Sequence, residues 1–208
     1  NFIGKDNIPF HTIIWQSELL GVDGIYNGEE DGIGKHYDAA LQLPYDVPAN
    51  EFMNIEGDKF SKSRNWAIWL PDILERYQPD AIRYYTAATF PESADSDFNW
   101  DGFLNRVNGE LLAAWGNLAN RMLSFAYKRY EGKVPTIDLA KLTADDKAIL
   151  EKSEAAFETI GGLIEAVKLK EALTQTMTLV RESNAYLDKR APWKTIKENP
   201  DDAALGVY

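Results

Sequence analysis

The sequence predicts a mostly α chain with an α/β N-terminal part, followed by an antiparallel α-helical bundle. Three observations predict it. Short apolar runs broken by glycines and prolines fill residues 1 to about 70, the mixture that strands and tight turns produce. From Pro71 onward, apolar residues recur at three- and four-residue steps, the period of one helix face. Finally, 45% hydrophobic and 12% aromatic residues in 208 positions supply a core, which excludes a disordered chain.

Taken in order, Phe2-Ile3-Gly4 reads as the end of a buried strand. Asp6 or Asn7 then caps a helix carrying Phe10, Ile13, Ile14, Ser17 and Leu20, with Pro9 tolerated in its first turn. Ligands of open α/β sheets collect beyond the C-terminal ends of strands, so Gly4 to Asp6 is a candidate binding corner. Turn signals follow at Gly21, Gly24, Gly28, Gly32, Gly34, Pro44 and Pro48. Phe52-Met53-Asn54-Ile55 resembles a strand, Glu56-Gly57-Asp58 a turn, and Lys59-Phe60-Ser61-Lys62-Ser63-Arg64 a hydrophilic loop.

Pro79 separates a helix over Pro71 to Tyr77 from one over Asp80 to Ala88, and the polar stretch Pro91 to Asn99 reads as a domain boundary. Beyond it, Trp100, Leu104, Val107, Leu111, Trp115, Leu118, Met122 and Phe125 form one face of a long helix that ends near Gly132 and Pro135. A second stripe follows at Ile149, Phe157, Ile160, Ile164 and Val167, and a third at Leu169, Leu173, Met177, Val180 and Leu187. Together they give the bundle. Gly161-Gly162 interrupts the second stripe, where each glycine costs about 1 kcal/mol relative to alanine, so close packing or a local break is expected. No internal repeat and no low-complexity tract points to a solenoid.

With 22 basic and 33 acidic residues the net charge is −11, which excludes a partner held by bulk attraction to a basic surface and makes any nucleic-acid site local. The chain has no cysteine and two histidines, so neither disulfides nor a thiolate or zinc site is expected within it. No run approaches the roughly 20 apolar residues that cross a bilayer, and no signal peptide opens the chain. It begins at Asn1 without an initiator methionine, as a piece of a longer protein would.

Chemistry concentrates between Lys59 and Ser63, where two lysines and two serines sit within five residues. Ammonium groups there can neutralise a triphosphate as charge moves onto leaving pyrophosphate, while hydroxyls and backbone amides supply hydrogen bonds. A solvated basic turn is the plain alternative. Gly32-Ile33-Gly34-Lys35 superficially suggests a P-loop, but Glu29 stands where the first glycine belongs and His36 where Ser or Thr belongs. It is assigned to a surface loop.

The Lys59 to Ser63 loop resembles the Lys-Met-Ser-Lys-Ser signature of class I aminoacyl-tRNA synthetases, with Phe60 in place of methionine. The run LERYQPDAIRYYT from Leu74 to Thr86, then Asp97-Phe98-Asn99-Trp100-Asp101, and the opening FIGKDNIPFH are similar to segments of methionyl-tRNA synthetases in the family's order. The resemblance covers almost the whole chain. It implies the end of a Rossmann-like catalytic domain over residues 1–98, with the signature loop and stem-contact region, and a helical-bundle anticodon-binding domain over 99–208 that continues past Tyr208.

The resemblance also implies roles. Lys59, Ser61, Lys62 and Ser63 become the catalytic loop, Gly4, Asp6 and Lys62 ATP contacts, and His11 a methionine contact. By its own chemistry Asp6 is equally a ribose acceptor or a helix cap, and His11 alone reads as a satisfied half-buried histidine. WGNLANR, from Trp115 to Arg121, is similar to the family segment whose asparagine and arginine bind the anticodon, which gives Asn117 and Arg121. Ala191-Pro192-Trp193 matches the family's Ala-Pro-Trp, with Trp193 stacking on an anticodon base at roughly 1 to 3 kcal/mol. A solvated Asn–Arg pair and a core tryptophan are the plain alternatives. Lys189, Arg190, Lys194 and Lys197 around Trp193 suggest a basic patch, to which Lys128 and Arg129 add phosphate contacts.

The implied parent is a methionine–tRNA ligase acting in the cytoplasm on ATP with Mg2+, methionine and tRNA(Met), with no membrane or DNA partner. No His-Ile-Gly-His motif, the family's other signature, occurs here, so the segment alone is expected to bind rather than catalyse. A noncatalytic tRNA-binding or interaction module, and a class I synthetase for another amino acid, remain the competing readings.

Overall fold

The computed structural model describes residues 3–26, 44 and 46–208, with side chains for all of these except 22–26. Phe2, Gly28 and the Gly32 to Lys35 run lie outside the described residues. The chain divides into two compact units, residues 1–54 with 91–96, and residues 55–90 with 97–208.

In the first unit β1 (Ile3–Gly4) pairs in parallel with β2 (Ala49–Asn50), Ile3 lying opposite Ala49 and Gly4 opposite Asn50. The expected strand end is present, though half-buried. A 3-10 turn over Lys5–Asn7 follows at once, then π-helical turns over Phe10–Ile14 and α1 (Trp15–Tyr26). Neither Asp6 nor Asn7 caps a helix: Gly4 occupies the N-cap place of the 3-10 turn and no side chain bonds a helix-start amide. Both residues are already inside a helical turn, whereas an N-cap needs extended backbone. Phe10, Ile13, Ile14, Trp15 and Leu20 are exposed. Two backbone bonds tie the ends of the unit together, Glu51 N–H to Pro91 O at 2.8 Å and Ser96 N–H to Phe52 O at 2.9 Å.

A three-stranded sheet of order β4-β3-β5 comprises β3 (Met53–Ile55), β4 (Asp58–Lys59) and β5 (Ser96–Phe98), and the chain crosses the division between units within β3 and β5. Glu56 (φ 49°) and Gly57 (φ 82°) both take positive φ between β3 and β4, the backbone of a two-residue primed hairpin turn. The turn is fastened further along the second unit, because Gly57 N–H donates to Asp97 Oδ1 at 2.8 Å and Trp100 N–H to Glu56 Oε1 at 2.9 Å. Lys59 thus ends a strand rather than opening a loop.

Two short helices, α2 (Leu70–Arg76) and α3 (Pro79–Ala88), each begin with proline in the first turn after an extended residue, as the fixed φ of proline favours. Tyr77, just after α2, and Tyr85 of α3 pack edge-on against Phe103 at centroid distances of 5.0 and 5.5 Å, with Phe98 joining at 5.0 Å from Tyr85. Asn99 caps the next helix by accepting from Gly102 N–H at 2.6 Å. A Cβ on Gly102 would lie 2.6 Å from Asn99 Oδ1 and 2.8 Å from Tyr85 Oη, so the cap and the buried tyrosine together require glycine.

The long helix is real but composite: α4 (Trp100–Arg106), π-helical turns over Val107–Gly116, then α5 (Asn117–Tyr130), stopped by Glu131 and Gly132 in left-handed backbone. Its buried line departs from the expected stripe. Phe103 is buried while Trp100, Leu104 and Trp115 are exposed, and Ala114 replaces Trp115 beside Leu111 and Leu118 against the core. The departure at Trp115 falls within the π turns, which are wider than the 3.6-residue period, while Leu111 and Leu118 keep their places on the stripe.

The bundle's main pair is α6 (Ala144–Glu165) and α7 (Leu169–Arg190). Ion pairs Asp145–Lys189 and Lys152–Glu182 connect rising numbers on α6 with falling numbers on α7, so the helices run antiparallel. Met177, Val180 and Leu187 are buried as the third stripe requires. Met177 and Val180 meet Tyr84 of α3, packed by Leu111, Ala114, Leu118 and Leu173. On α6 the half-buried line runs through Ile149, Ser153, Ala156 and Ile160, which leaves Phe157 on the outer face, 84% exposed. The helix passes unbroken through Gly161-Gly162, and a Cβ at either would meet nothing within 4 Å. Neither a break nor close packing accounts for them. Short helices α8 (Pro192–Thr195) and α9 (Pro200–Leu205) close the chain, with Ala203 to Val207 buried.

Candidate functional site

In the first unit, Gly4, Asp6 and His11 lie within three turns of chain. A Cβ on Gly4 would fall 2.8 Å from Asp6 Oδ1, so the carboxylate folds back over the glycine and a side chain there would displace it. Asp6 is exposed, and Asn7 Nδ2 donates weakly to its Oδ1 at 3.4 Å. With no capping bond to make, its oxygens are free to accept from a ligand hydroxyl. His11 Nδ1 lies 3.1 Å from Asn7 O. A proton on Nδ1 satisfies that carbonyl and leaves Nε2 as an acceptor in a groove lined with Phe10, Ile14 and Trp15.

The corner's frame is charged. Lys5 pairs with Glu51 and, at 2.9 Å, with Asp95, while its ammonium stands 4.6 Å from the Phe52 ring centroid. Asp95 also accepts from Phe52 N–H at 3.0 Å. The hydrogen bonds to Glu51 and Asp95 raise the Lys5 pKa, and the Lys5 hydrogen bond lowers that of Asp95.

In the second unit the signature segment forms a closed turn. Ser61 and Trp66 exchange backbone hydrogen bonds at 2.8 and 2.9 Å, and Asn65 N–H donates to Lys62 O at 3.1 Å with Asn65 in left-handed backbone. Ser61 Oγ sits 3.3 Å from Ser63 Oγ and accepts from Arg64 N–H at 3.4 Å. Two indoles brace the turn, Trp66 Nε1–H donating to Ile55 O at 3.3 Å and Trp69 Nε1–H to Asn65 Oδ1 at 3.2 Å. Lys59 and Lys62 are exposed, and neither has a carboxylate partner among the described residues. The arrangement offers two uncompensated cations beside two hydroxyls to an anionic ligand.

The helical face brings Arg121 and Trp193 together from α5 and α8, with the guanidinium carbon 4.5 Å from the indole centroid, inside cation–π range. Arg121 Nη2 also pairs with Asp188 Oδ1 at 2.5 Å, and Nη1 donates to Asn184 Oδ1 at 3.4 Å. The Asn184 amide is fixed in that sense, since its Nδ2 donates to Ala114 O and Val180 O at 3.0 and 3.1 Å. Asn117, one turn before Arg121, is exposed, and its side chain makes no hydrogen bond to a described residue, while its backbone N–H continues the helix by donating to Leu112 O and Ala114 O. Trp193 is 38% exposed while its neighbour Pro192 is fully buried, so the tryptophan is no core residue.

The expected basic patch is smaller than its sequence. Lys189 pairs with Asp145 at 2.5 Å, and Arg190 turns inward to Asp146 at 3.2 Å and Asp202 at 3.0 Å. Lys194, Lys197, Lys128 and Arg129 are exposed. Sequence reasoning missed Asp188, Asn184 and the carboxylates that hold Arg190. Asp146 carried a readable signal: Thr143-Ala144-Asp145-Asp146 forms a capping box in which Thr143 and Asp146 bond each other's backbone amides.

Comparison with known proteins follows the order of these elements. Residues 1–123 match the family model described as tRNA synthetases class I (M), and residues 134–208 match the anticodon-binding domain of methionyl tRNA ligase. The chain is 49% identical to the methionine–tRNA ligase of Thermomicrobium roseum over 207 residues, covering all of this chain and 32% of the relative. It is 48% identical to that of Roseiflexus castenholzii at the same coverage. A solved Mycobacterium tuberculosis methionyl-tRNA synthetase in complex with methionyl-adenylate superposes with a TM-score of 0.83 at 25% identity, over all of this chain and 38% of that one. The chain therefore spans about a third of the length of the curated relatives it matches.

Proposed function

The chain belongs to the class I tRNA synthetases of the methionyl type, and from that premise we propose that it is part of an enzyme joining methionine to tRNA(Met) through methionyl-adenylate. Residues 1–98 contribute the end of the catalytic domain and residues 99–208 the anticodon-binding domain. The observation that carries the reading is the convergence of Arg121 and Trp193, 4.5 Å apart, on an exposed helical face. A stacked indole and guanidinium are the equipment for holding unpaired bases.

In the first step the methionine carboxylate attacks the α-phosphorus of ATP, the bond to pyrophosphate breaks, and negative charge collects on the leaving group. Lys59 and Lys62 neutralise that charge, while Ser61 and Ser63 hold the turn that presents them. Gly4 lets the adenosine approach closely, Asp6 accepts from its ribose hydroxyls, and His11 lines the methionine pocket. In the second step a terminal ribose hydroxyl of the tRNA attacks the adenylate carbonyl and AMP leaves. Mg2+ would enter as part of the substrate, carried by the ATP phosphates.

At the far end, Asn117 and Arg121 contact anticodon base edges and Trp193 stacks on one base. No helix among the described residues is long and apolar enough to cross a membrane, and the cytoplasm is the compartment that fits this work. The deciding assay is ATP–pyrophosphate exchange by the complete enzyme with methionine. Lys62→Ala abolishes most of it if the loop has the role given; undiminished exchange overturns that role.

A further inference from the structure

We propose that Arg190 is a positioning residue for anticodon recognition, holding Trp193 in place through an inward ion network. The inference rests on the reading of Trp193 as the anticodon-stacking residue and goes beyond it. Arg190 ends α7, and its side chain is only 13% exposed. Its Nη1 lies 3.0 Å from Asp202 Oδ1, and its Nη2 donates to Asp202 O at 3.2 Å. Nε meets Asp146 Oδ1 at 3.2 Å as a charge contact.

Asp146 itself is almost wholly buried at 1% exposure. It accepts from Tyr186 Oη at 2.7 Å and Thr143 N–H at 2.9 Å. One guanidinium thereby ties the end of α7 to the starts of α6 and α9. Gly206 packs against it, a Cβ there falling 3.4 Å from Arg190 Cβ.

The next residues explain why a tie is needed here. Ala191 takes left-handed backbone at φ 41°, ψ 56°, a conformation disfavoured for a residue with a Cβ and retained only where its surroundings impose it. That single residue turns the chain from α7 into α8, buries Pro192 and leaves Trp193 beside Arg121. Without the fork of Arg190, the turn loses the anchor immediately before it. The indole then samples orientations that do not stack.

The test measures affinity of the full 208-residue chain for an RNA stem–loop bearing the methionine anticodon and for the same stem–loop with an altered anticodon. Arg190→Lys keeps the charge but not the fork. Asp202→Asn is a milder second variant that decides the matter if Arg190→Lys does not fold. Both are expected to lose roughly tenfold for the methionine loop, within the range for one lost stacked base, and less than about twofold for the altered loop. A purely structural role would weaken both loops alike through loss of folded protein, and that result overturns the proposal. So does unchanged discrimination in both variants while Trp193→Ala abolishes it. If Trp193→Ala itself leaves discrimination intact, the anticodon reading fails and the inference falls with it.

Discussion

The signature turn and the helical face solve opposite problems with similar residues. Around Lys59 and Lys62 the backbone is closed by its own hydrogen bonds while both cations stay unpaired among the described residues. Around Arg121 the cation is already engaged by Asp188, Asn184 and Trp193. An anion arriving at the first gains new pairings outright. A base arriving at the second must exchange with existing partners, so its contribution is a difference between two occupied states, which favours selectivity over affinity. Since the Asp188 carboxylate is largely exposed, that exchange is inexpensive.

The contrast predicts the larger effect at the turn. Lys62→Ala in the complete enzyme should reduce ATP–pyrophosphate exchange by about 10²-fold or more, the scale for removing one preorganised charge-stabilising donor, with tRNA affinity unchanged. Next comes Trp193→Ala, which should narrow discrimination between matched and altered anticodons by roughly 5- to 150-fold, the equivalent of one stacked base, with exchange intact. If either variant affected both assays equally, the two regions would not be separable as described.

A smaller effect comes from the network beneath the helical face. Burial alone would raise the Asp146 pKa, but hydrogen bonds from Tyr186 and Thr143 and the charge of Arg190 hold it below its ordinary 3.8. A carboxylate depressed on folding stabilises above its unfolded pKa and loses that contribution as pH falls through the folded value. Thermal unfolding should therefore show stability falling off below about pH 4. Asp146→Asn should flatten that slope and cost about 2 kcal/mol at neutral pH, since Arg190 keeps Asp202. The smallest effect has the opposite sign. Gly162→Ala on the open outer face of α6 should add up to about 1 kcal/mol, read as a raised urea midpoint, and leave both assays untouched.

What the sequence made legible was local. Prolines 71 and 79 marked α2 and α3 because a fixed φ acts within one turn. The third stripe marked α7 because an unbroken α-helix keeps one phase from Leu173 to Leu187. Along the long helix the stripe holds at Leu111, Leu118, Met122 and Phe125 but not at Trp115, where, within the π turns over Val107–Gly116, Ala114 stands against the core instead, and nothing in the spacing announces a π turn. Phe157 belongs to the second apolar stripe by hydrophobicity and spacing, whereas in the structure Ala156 takes the inner position.

Of the candidate site, the motif residues were legible and their partners were not. Asn117, Arg121 and Trp193 stood out as resemblances. Asp188, Asn184 and Asp202 act through tertiary contacts that no local spacing encodes. For the same reason Lys189 and Arg190 looked like a surface patch, although each is paired with a carboxylate far away in sequence.

The most direct test of the account is a double-mutant cycle on Arg121 and Trp193, read as affinity of the chain for the methionine anticodon stem–loop. Arg121→Ala, Trp193→Ala and the double variant should show a coupling of about 0.5 to 3 kcal/mol, as for residues that hold one ligand together. Additive losses, within about 0.3 kcal/mol, would contradict a shared anticodon site.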